Sequence, residues 1–212
     1  MKQQALLHPV MPIAFPNHLI FESILKLLPL SAMGYTMIAV IMVFLQAIYL
    51  NYIAERHKLF GKPGSFVALM YITLTSLYPA FNYFSEPLLI NWFVILAIDI
   101  MLSFPKTMQP NKKLFNAGFA ISIPAILQAP ALGFICILIF GYLLLRSYRS
   151  KELVVTILGY LTPFYFLAVI LYLIDHLSFF TRLLELGFDI NLFSASRIYL
   201  AGTLMGVLML LI

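Results

Sequence analysis

The chain has 212 residues, of which 63% are hydrophobic and 10% are charged, and its formal net charge is +5. A soluble domain is about half apolar and about a quarter charged, so this composition excludes a water-soluble fold and predicts an integral membrane protein. The single cysteine, Cys136, excludes a disulfide framework and a thiolate metal site, and the positive-inside rule explains the net charge without a nucleic-acid partner.

The first predicted element is a short amphipathic helix over about residues 18–29, which follows three prolines in "HPVMPIAFPNH". Glu22 and Lys26 are four positions apart on its polar side and can form an ion pair. A helix this short is expected to lie in the membrane interface rather than to cross the bilayer. Its opposite side carries the apolar residues Leu19, Ile20, Ile24, Leu25, Leu27 and Leu28.

Seven apolar runs follow, and a helix that crosses the membrane needs roughly 20 mostly apolar residues. The sequence therefore predicts an all-α fold, a polytopic transmembrane helical bundle of about seven spans with two interfacial amphipathic helices on the external face. The second of these helices is expected at 177–190. The predicted spans are about 33–54, 66–84, 87–104, 114–128, 131–145, 153–174 and 197–212.

The chain is predicted to form a single integral membrane domain over residues 1–212. Residues 1–30 have no helix that would carry them across the membrane, and the last apolar run is short for a span. These two features predict that the natural protein extends beyond one or both ends of this sequence. The predicted parts are an external segment with the interfacial helix at 1–30, helical hairpins at 31–174, an external amphipathic segment at 175–196 and a last, short span at 197–212.

Polar residues interrupt the apolar sequence between the second and third predicted spans, in "LYPAFNYFSEPLL". Backbone polar groups cannot be left unpaired in hydrocarbon, so a turn is expected there, at the interface or inside protein. Pro87 suits the first turn of the following helix, because its missing N–H would have no intrahelical partner. Glu86 then lies beside a helix N-terminus, where the helix dipole favours negative charge.

The distribution of basic residues predicts the orientation in the membrane. If the turn after the first span is cytoplasmic, strict alternation places the turns at 55–65, 105–113 and 146–152 in the cytoplasm. This matches the positive-inside rule and predicts that the basic turns face the cytoplasm, provided that "QAPA" at 128–131 is a real turn. Nine of the 13 basic residues then lie on the cytoplasmic side, namely Arg56, Lys58, Lys62, Lys106, Lys112, Lys113, Arg146, Arg149 and Lys151.

Two acids are candidates for chemistry. Asp99 is the only acid inside a predicted span, and an intramembrane ionisable residue is a functional-site hypothesis; the alternative is that Asp99 lies near the cytoplasmic interface and reaches Lys106 or water. Glu22 is a candidate acid or base on the external face, and its alternative is surface pairing with Lys26. No metal or cofactor motif is present. Six glycines are expected to mark close helix packing, namely Gly118, Gly133, Gly141, Gly159, Gly202 and Gly206.

Three stretches of the chain together resemble a known family. "LLHPVMP", "KLFNAGFAISIPAILQAPAL" and "VTILGYLTPFYFLAVIL" resemble an uncharacterised family of multi-pass inner-membrane proteins from Bacteroidota. The resemblance covers roughly residues 7–175 and carries no assigned chemistry. Members of that family have one further hydrophobic helix before the "HPV" segment.

A wider resemblance concerns Asn116–Arg146, where a basic turn, "AG" near a helix start and two short helices around a tight turn are similar to GT-C type integral-membrane glycosyltransferases. It implies an envelope protein that handles a polyprenyl-linked sugar on the periplasmic side. By this resemblance Glu22 would be the catalytic acid or base. His18, Arg182 and Arg197 would bind the phosphate, for which the planar arginine fork is suited. The first external loop reads "FPNHLIFES" and lacks the acidic pair usual in that family.

Two other functions stay open on the sequence. The protein could be a non-catalytic structural subunit of a multiprotein envelope complex, with its aromatic helices packed on other membrane subunits. It could also be a small-solute transporter, against which the sequence shows neither a pair of matched broken helices nor a central charge pair. In each case the apolar surface has the lipid bilayer as its partner.

Overall fold

The computed structural model describes residues 9, 11–12, 19–60, 64–77, 81–145 and 149–175. Within these ranges the chain forms seven α-helices, two short 3-10 segments at Phe104–Lys106 and Ala129–Gly133, and no strand. The predicted all-α class is therefore confirmed for this part of the chain. The helices are α1 (Leu19–Leu27), α2 (Ala32–Arg56), α3 (Phe66–Leu77), α4 (Glu86–Ser103), α5 (Pro110–Leu127), α6 (Phe134–Leu145) and α7 (Ser150–Leu173).

Three of these helices, α2, α4 and α7, are long and apolar enough to cross a membrane by length and composition. The apolar stretches Phe66–Leu77 and Ala131–Leu145 are shorter. A helical membrane protein is thus supported, whereas seven spans are not established, and the predicted elements at 177–190 and 197–212 lie outside the described residues.

The predicted second span is too long. Its helix, α3, ends at Leu77 rather than at 84, and residues 81–84 form turns instead. With 12 residues, α3 extends about 18 Å, which is less than the roughly 30 Å of bilayer hydrocarbon.

The short helix α1 is present as predicted, but its buried face differs. Phe21 is only 2% exposed and stacks on Phe84, with ring centroids 5.7 Å apart; Phe84 stacks in turn on Tyr35 at 5.6 Å. Leu27 and Leu28, predicted to lie on the apolar side, are exposed. The aromatic stack therefore holds α1 against the start of α2 and the turn before α4.

Helices α2 and α4 run parallel to each other. Helix α3, which lies between them in the sequence, runs in the opposite direction. Gln46 on α2 bonds to the backbone of Leu88 on α4, and His57, which follows α2, bonds to Asp99 eleven residues further along α4. Later residues of one helix therefore meet later residues of the other. As predicted, α4 begins at Glu86 and has Pro87 in its first turn.

Helices α5 and α7 cross with their backbones in direct contact at two glycines. A Cβ atom on Gly118 would lie 2.3 Å from the Thr156 carbonyl oxygen, and one on Gly159 would lie 2.2 Å from that of Phe115. These two glycines confirm the packing prediction, because only a residue without a side chain allows so close an approach. Gly141 makes an ordinary contact, no described atom lies near a Cβ on Gly133, and Gly202 and Gly206 lie outside the described residues.

The "QAPA" stretch is a real break between helices. Gln128 ends α5 in an extended conformation, and the 3-10 segment Ala129–Gly133 leads into α6. The phenol of Tyr160 on α7 donates a hydrogen bond to the Leu132 carbonyl at 3.3 Å and holds this turn. The orientation argument made from the basic residues depends on this turn, and the structure provides it.

Candidate functional site

A set of polar side chains lies between α2, α3 and α4. Gln46 is fully buried; its Nε2 donates to the Leu88 carbonyl at 2.8 Å, and its Oε1 accepts from the Tyr71 hydroxyl at 2.7 Å. Asn91 on α4 donates from Nδ2 to the Tyr71 oxygen. Three helices are thereby joined by a small hydrogen-bond network, which we call the central network.

The α2–α4 interface ends in an ionisable group, the Asp99 cluster, made of Asp99, Tyr49, Arg56 and His57. The Tyr49 hydroxyl donates to Oδ2 of Asp99 at 3.0 Å, and Nε2 of His57 lies 3.1 Å from Oδ1. Nη1 of Arg56 lies 3.5 Å from Oδ2. The side chain of Asp99 is 13% exposed and that of His57 is 7% exposed. Both carboxylate oxygens of Asp99 are therefore occupied by donors from α2.

The end of α2 fixes the position of His57. The backbone N–H of Leu59 bonds to the Ala54 carbonyl at 3.0 Å, and that of Lys58 bonds to the Glu55 carbonyl at 3.1 Å. Lys58 has a φ of 53°. This is the left-handed C-terminal cap of a helix with lysine where glycine is usual. His57 is the capping residue, so its ring projects from a defined backbone, and the helix C-terminus favours a cation there.

Tyr49 is oriented by an aromatic neighbour on α4. Its ring stacks on Trp92 with centroids 6.3 Å apart. Trp92 follows Asn91 of the central network, and the Tyr49 hydroxyl reaches Asp99. Tyr49 therefore extends from the level of the central network to the Asp99 cluster.

The opposite end of α4 also carries buried polar groups. Asn82 and Glu86 are both buried. Nδ2 of Asn82 donates to the Ser76 carbonyl at 3.2 Å, whereas its Oδ1 has no hydrogen-bond partner among the described residues. From Glu86 to Asp99, α4 rises about 20 Å. Polar groups thus occur at three heights along α4, namely at its start, at the central network and at the Asp99 cluster.

The predicted site residues are not brought together in the described structure. Oε1 of Glu22 lies 2.8 Å from Nζ of Lys26, and their side chains are 43% and 75% exposed. The surface pair that was the alternative for Glu22 is therefore present. His18, Arg182 and Arg197 lie outside the described residues.

Sequence reasoning found Asp99 but missed its partners. The alternative named for Asp99 was contact with Lys106, whose side chain lies outside the described part of the structure, or with water; the described bonded groups are Tyr49, Arg56 and His57. These lie more than 40 positions away in the sequence, and no local pattern links them. The signal that could have pointed to this interface was the occurrence of Gln46 and Asn91, uncharged polar residues inside apolar runs.

Another buried acid, Glu152, has a structural explanation. Glu152 lies in the first turn of α7, where the helix dipole favours a carboxylate. The Tyr142 hydroxyl donates to its Oε2 at 3.1 Å and accepts from the Arg149 backbone N–H at 2.8 Å. This arrangement ties the end of α6 to the start of α7.

The described residues contain no group of three or more His, Cys, Asp or Glu side chains that could hold a metal ion. Comparison with protein-family profiles, curated protein sequences and solved structures found no match. The resemblances given under the sequence therefore stay predictions, and a functional assignment depends on the geometry of the α2–α3–α4 unit.

Proposed function

We propose that the protein is a multi-pass protein of the bacterial inner membrane whose basic turns face the cytoplasm. The parallel arrangement of α2 and α4 supports this topology, because it places the ends of both helices on one side. Arg56 and Lys58 lie at the end of α2, and Lys112 and Lys113 lie in the first turn of α5 after α4. Basic residues gathered on one side in this way follow the positive-inside rule.

The topology can be tested by cysteine labelling in a Cys136→Ser background. Met108→Cys reports the turn after α4 and Leu27→Cys reports the end of α1, since both native side chains are exposed. A membrane-impermeant maleimide should label position 27 in intact spheroplasts and position 108 only after lysis. Labelling of position 108 from outside would reverse the orientation.

The function that the geometry supports best is translocation of a small polar solute or ion along the α2–α4 interface. The supporting observation is that buried polar groups occur at three heights over about 20 Å of α4. Ionisable residues inside a membrane bundle are costly and mark transport pathways. The Arg56–Asp99 and His57–Asp99 pairs lie at the end of this interface and add ionisable groups to it. Gln46 at the middle of this interface is fully buried, so transport requires a second state in which the interface opens.

Thiol accessibility along α4 tests for such a path without knowledge of the solute. Helical geometry places Asn91, Ile95 and Asp99 on one stripe, because residues four apart share a face. Leu96 and Ile98 are exposed on other faces. In the Cys136→Ser background, cysteine at 91 or 95 should react with a charged thiol reagent faster than cysteine at 96 or 98. Equal rates at all four positions would contradict the proposal.

A second candidate is the GT-C-like enzyme that handles a polyprenyl-linked sugar on the periplasmic side, with Glu22 as acid or base. The docking of α1 through Phe21 favours it, because this contact holds Glu22 at a fixed place on the proposed external end. Glu22→Gln and Lys26→Gln both break the same ion pair. The enzyme proposal expects only Glu22→Gln to abolish transfer from a polyprenyl-phosphate sugar; equal effects would reject it. Co-purification of envelope proteins in mild detergent, without either activity, would favour the structural subunit instead.

A further inference from the structure

The Asp99 cluster contains more bonding groups than are needed to hold two helices together. An arginine–carboxylate pair alone would join α2 to α4, yet Asp99 also receives hydrogen bonds from a phenol and an imidazole. In the described part of the chain, the ionisable side chains bonded to Asp99 are Tyr49, Arg56 and His57, all from the end of α2. Imidazole is the side chain that most readily takes up and releases protons near neutral pH.

We infer that Asp99 is a proton-binding site of the translocation path, with His57 as the group that passes protons between Asp99 and the cytoplasm. The inference rests on the proposed transport function and names the proton as the transported ion. It is supported by the low exposure of both side chains, 7% for His57 and 13% for Asp99, and by the 3.1 Å distance from Nε2 of His57 to Oδ1 of Asp99. A buried ionisable residue in a membrane bundle is the usual basis of a proton relay.

The proton transfer requires no group beyond these two side chains and water. In neutral His57, Nε2 carries the hydrogen that is donated to Asp99, and Nδ1 is free to accept. A hydronium ion donates a proton to Nδ1 and becomes water, and the Nε2–H bond breaks as a new O–H bond forms on Oδ1 of Asp99. The products are a neutral carboxylic acid and a neutral imidazole whose hydrogen is now on Nδ1. Reversal of the same steps returns the proton to water.

Protonation of Asp99 would also weaken the contact between α2 and α4. A neutral carboxylic acid loses the charge that attracts Arg56, whose Nη1 lies 3.5 Å from Oδ2. The hydrogen bond from Tyr49 also loses its charge assistance, and hydrogen bonds to ionised groups are about twice as strong as neutral ones. Proton binding is thereby coupled to opening of the interface at this end.

The test is proton flux into proteoliposomes that contain the purified full chain and the pH-sensitive dye pyranine. A potassium gradient with valinomycin supplies the driving potential. Wild-type protein should acidify the lumen faster than protein-free vesicles, and Asp99→Asn or His57→Gln should lose this excess rate. Glu55→Gln is the matched control, because Glu55 is exposed on the same helix end and its side chain accepts a hydrogen bond from Asn51 rather than from the Asp99 cluster; its rate should stay at the wild-type value. A wild-type rate equal to that of protein-free vesicles, or undiminished flux in Asp99→Asn, would overturn the inference.

A second measurement covers the case in which Asp99→Asn fails to fold. Infrared difference spectra of the wild type after a drop in pH should contain a carboxylic-acid carbonyl band that Asp99→Glu shifts, and absence of that shift would also overturn the inference. The two proposals fail separately. Faster thiol labelling at 91 or 95 without proton flux would reject the proton site but keep the translocation path. Equal labelling at all four positions would reject the path itself.

Discussion

Substitution of Gly159 by alanine should strongly destabilise the protein, because it places a methyl group against backbone at the α5–α7 crossing. The added Cβ would lie 2.2 Å from the Phe115 carbonyl oxygen, and contacts under 3.0 Å are essentially never seen. The two helices must therefore move apart by close to 1 Å, since the opposing atoms belong to the backbone and cannot rotate away. This crossing is the most extensive helix–helix contact among the described elements.

The expected cost follows from two opposing effects. Overpacking of a well-packed core typically costs about 1–3 kcal/mol, and a backbone clash belongs at the upper end of that range. Replacement of glycine by alanine in a helix returns up to about 1 kcal/mol. We therefore expect Gly159→Ala to lower the free energy of unfolding by about 2 kcal/mol. Gly118→Ala should behave alike, because its Cβ would lie 2.3 Å from the Thr156 oxygen.

The assay is denaturation of the detergent-solubilised protein followed by circular dichroism. Gly141→Ala is the matched control, since the nearest atom to its Cβ is the flexible end of Met101 at 3.5 Å; it should leave stability unchanged or raise it by up to about 1 kcal/mol. The double variant at positions 118 and 159 should cost less than the sum of the single variants, because one separation of the helices relieves both clashes. If Gly159→Ala is as stable as Gly141→Ala, the close crossing is refuted.

Three further substitutions test other parts of the structure. Lys58→Gly should raise the free energy of unfolding by about 1 kcal/mol, because a φ of 53° is strained for any residue with a side chain; Lys58→Ala is the control, and equal denaturation midpoints for the two variants would contradict this. Gln46→Leu should lower the stability by about 1 kcal/mol, since it removes hydrogen bonds between three helices, and a more stable variant in the same titration would be the opposite result. Tyr142→Phe should cost about 1–3 kcal/mol, because buried Glu152 loses a donor; an unchanged thermal midpoint would argue against that role.

The elements of the fold were largely predictable, because apolar run length is a direct consequence of bilayer thickness. The predicted span at 33–54 corresponds to α2 at Ala32–Arg56, and that at 153–174 corresponds to α7 at Ser150–Leu173. The error at α3 arose because hydrophobicity continues past the last helical residue, through the aromatic side chains of the turn. Hydrophobicity predicts which segments can enter the membrane, but it does not predict the residue at which a helix ends.

The candidate site was only partly predictable, because its parts meet through the register of two parallel helices. A carboxylate inside a span identified Asp99, but the pairing of α2 with α4 decides that Tyr49, Arg56 and His57 reach it. The buried residue of α1 shows the same limit. Helical periodicity favoured Leu27 and Leu28, whereas the stacking partner offered by Phe84 selects Phe21. Tertiary contacts of this kind have no counterpart in the local sequence.

The stacking of Trp92 on Tyr49 gives the protein a built-in optical reporter. Trp92 is the only tryptophan of the chain, so its fluorescence comes from a single known place. The phenol that it covers donates to the carboxylate of Asp99. Any event that alters this carboxylate or parts the two helices changes the surroundings of the indole ring. The tryptophan fluorescence of the unlabelled protein therefore reports on changes at the contact between Tyr49, Trp92 and Asp99.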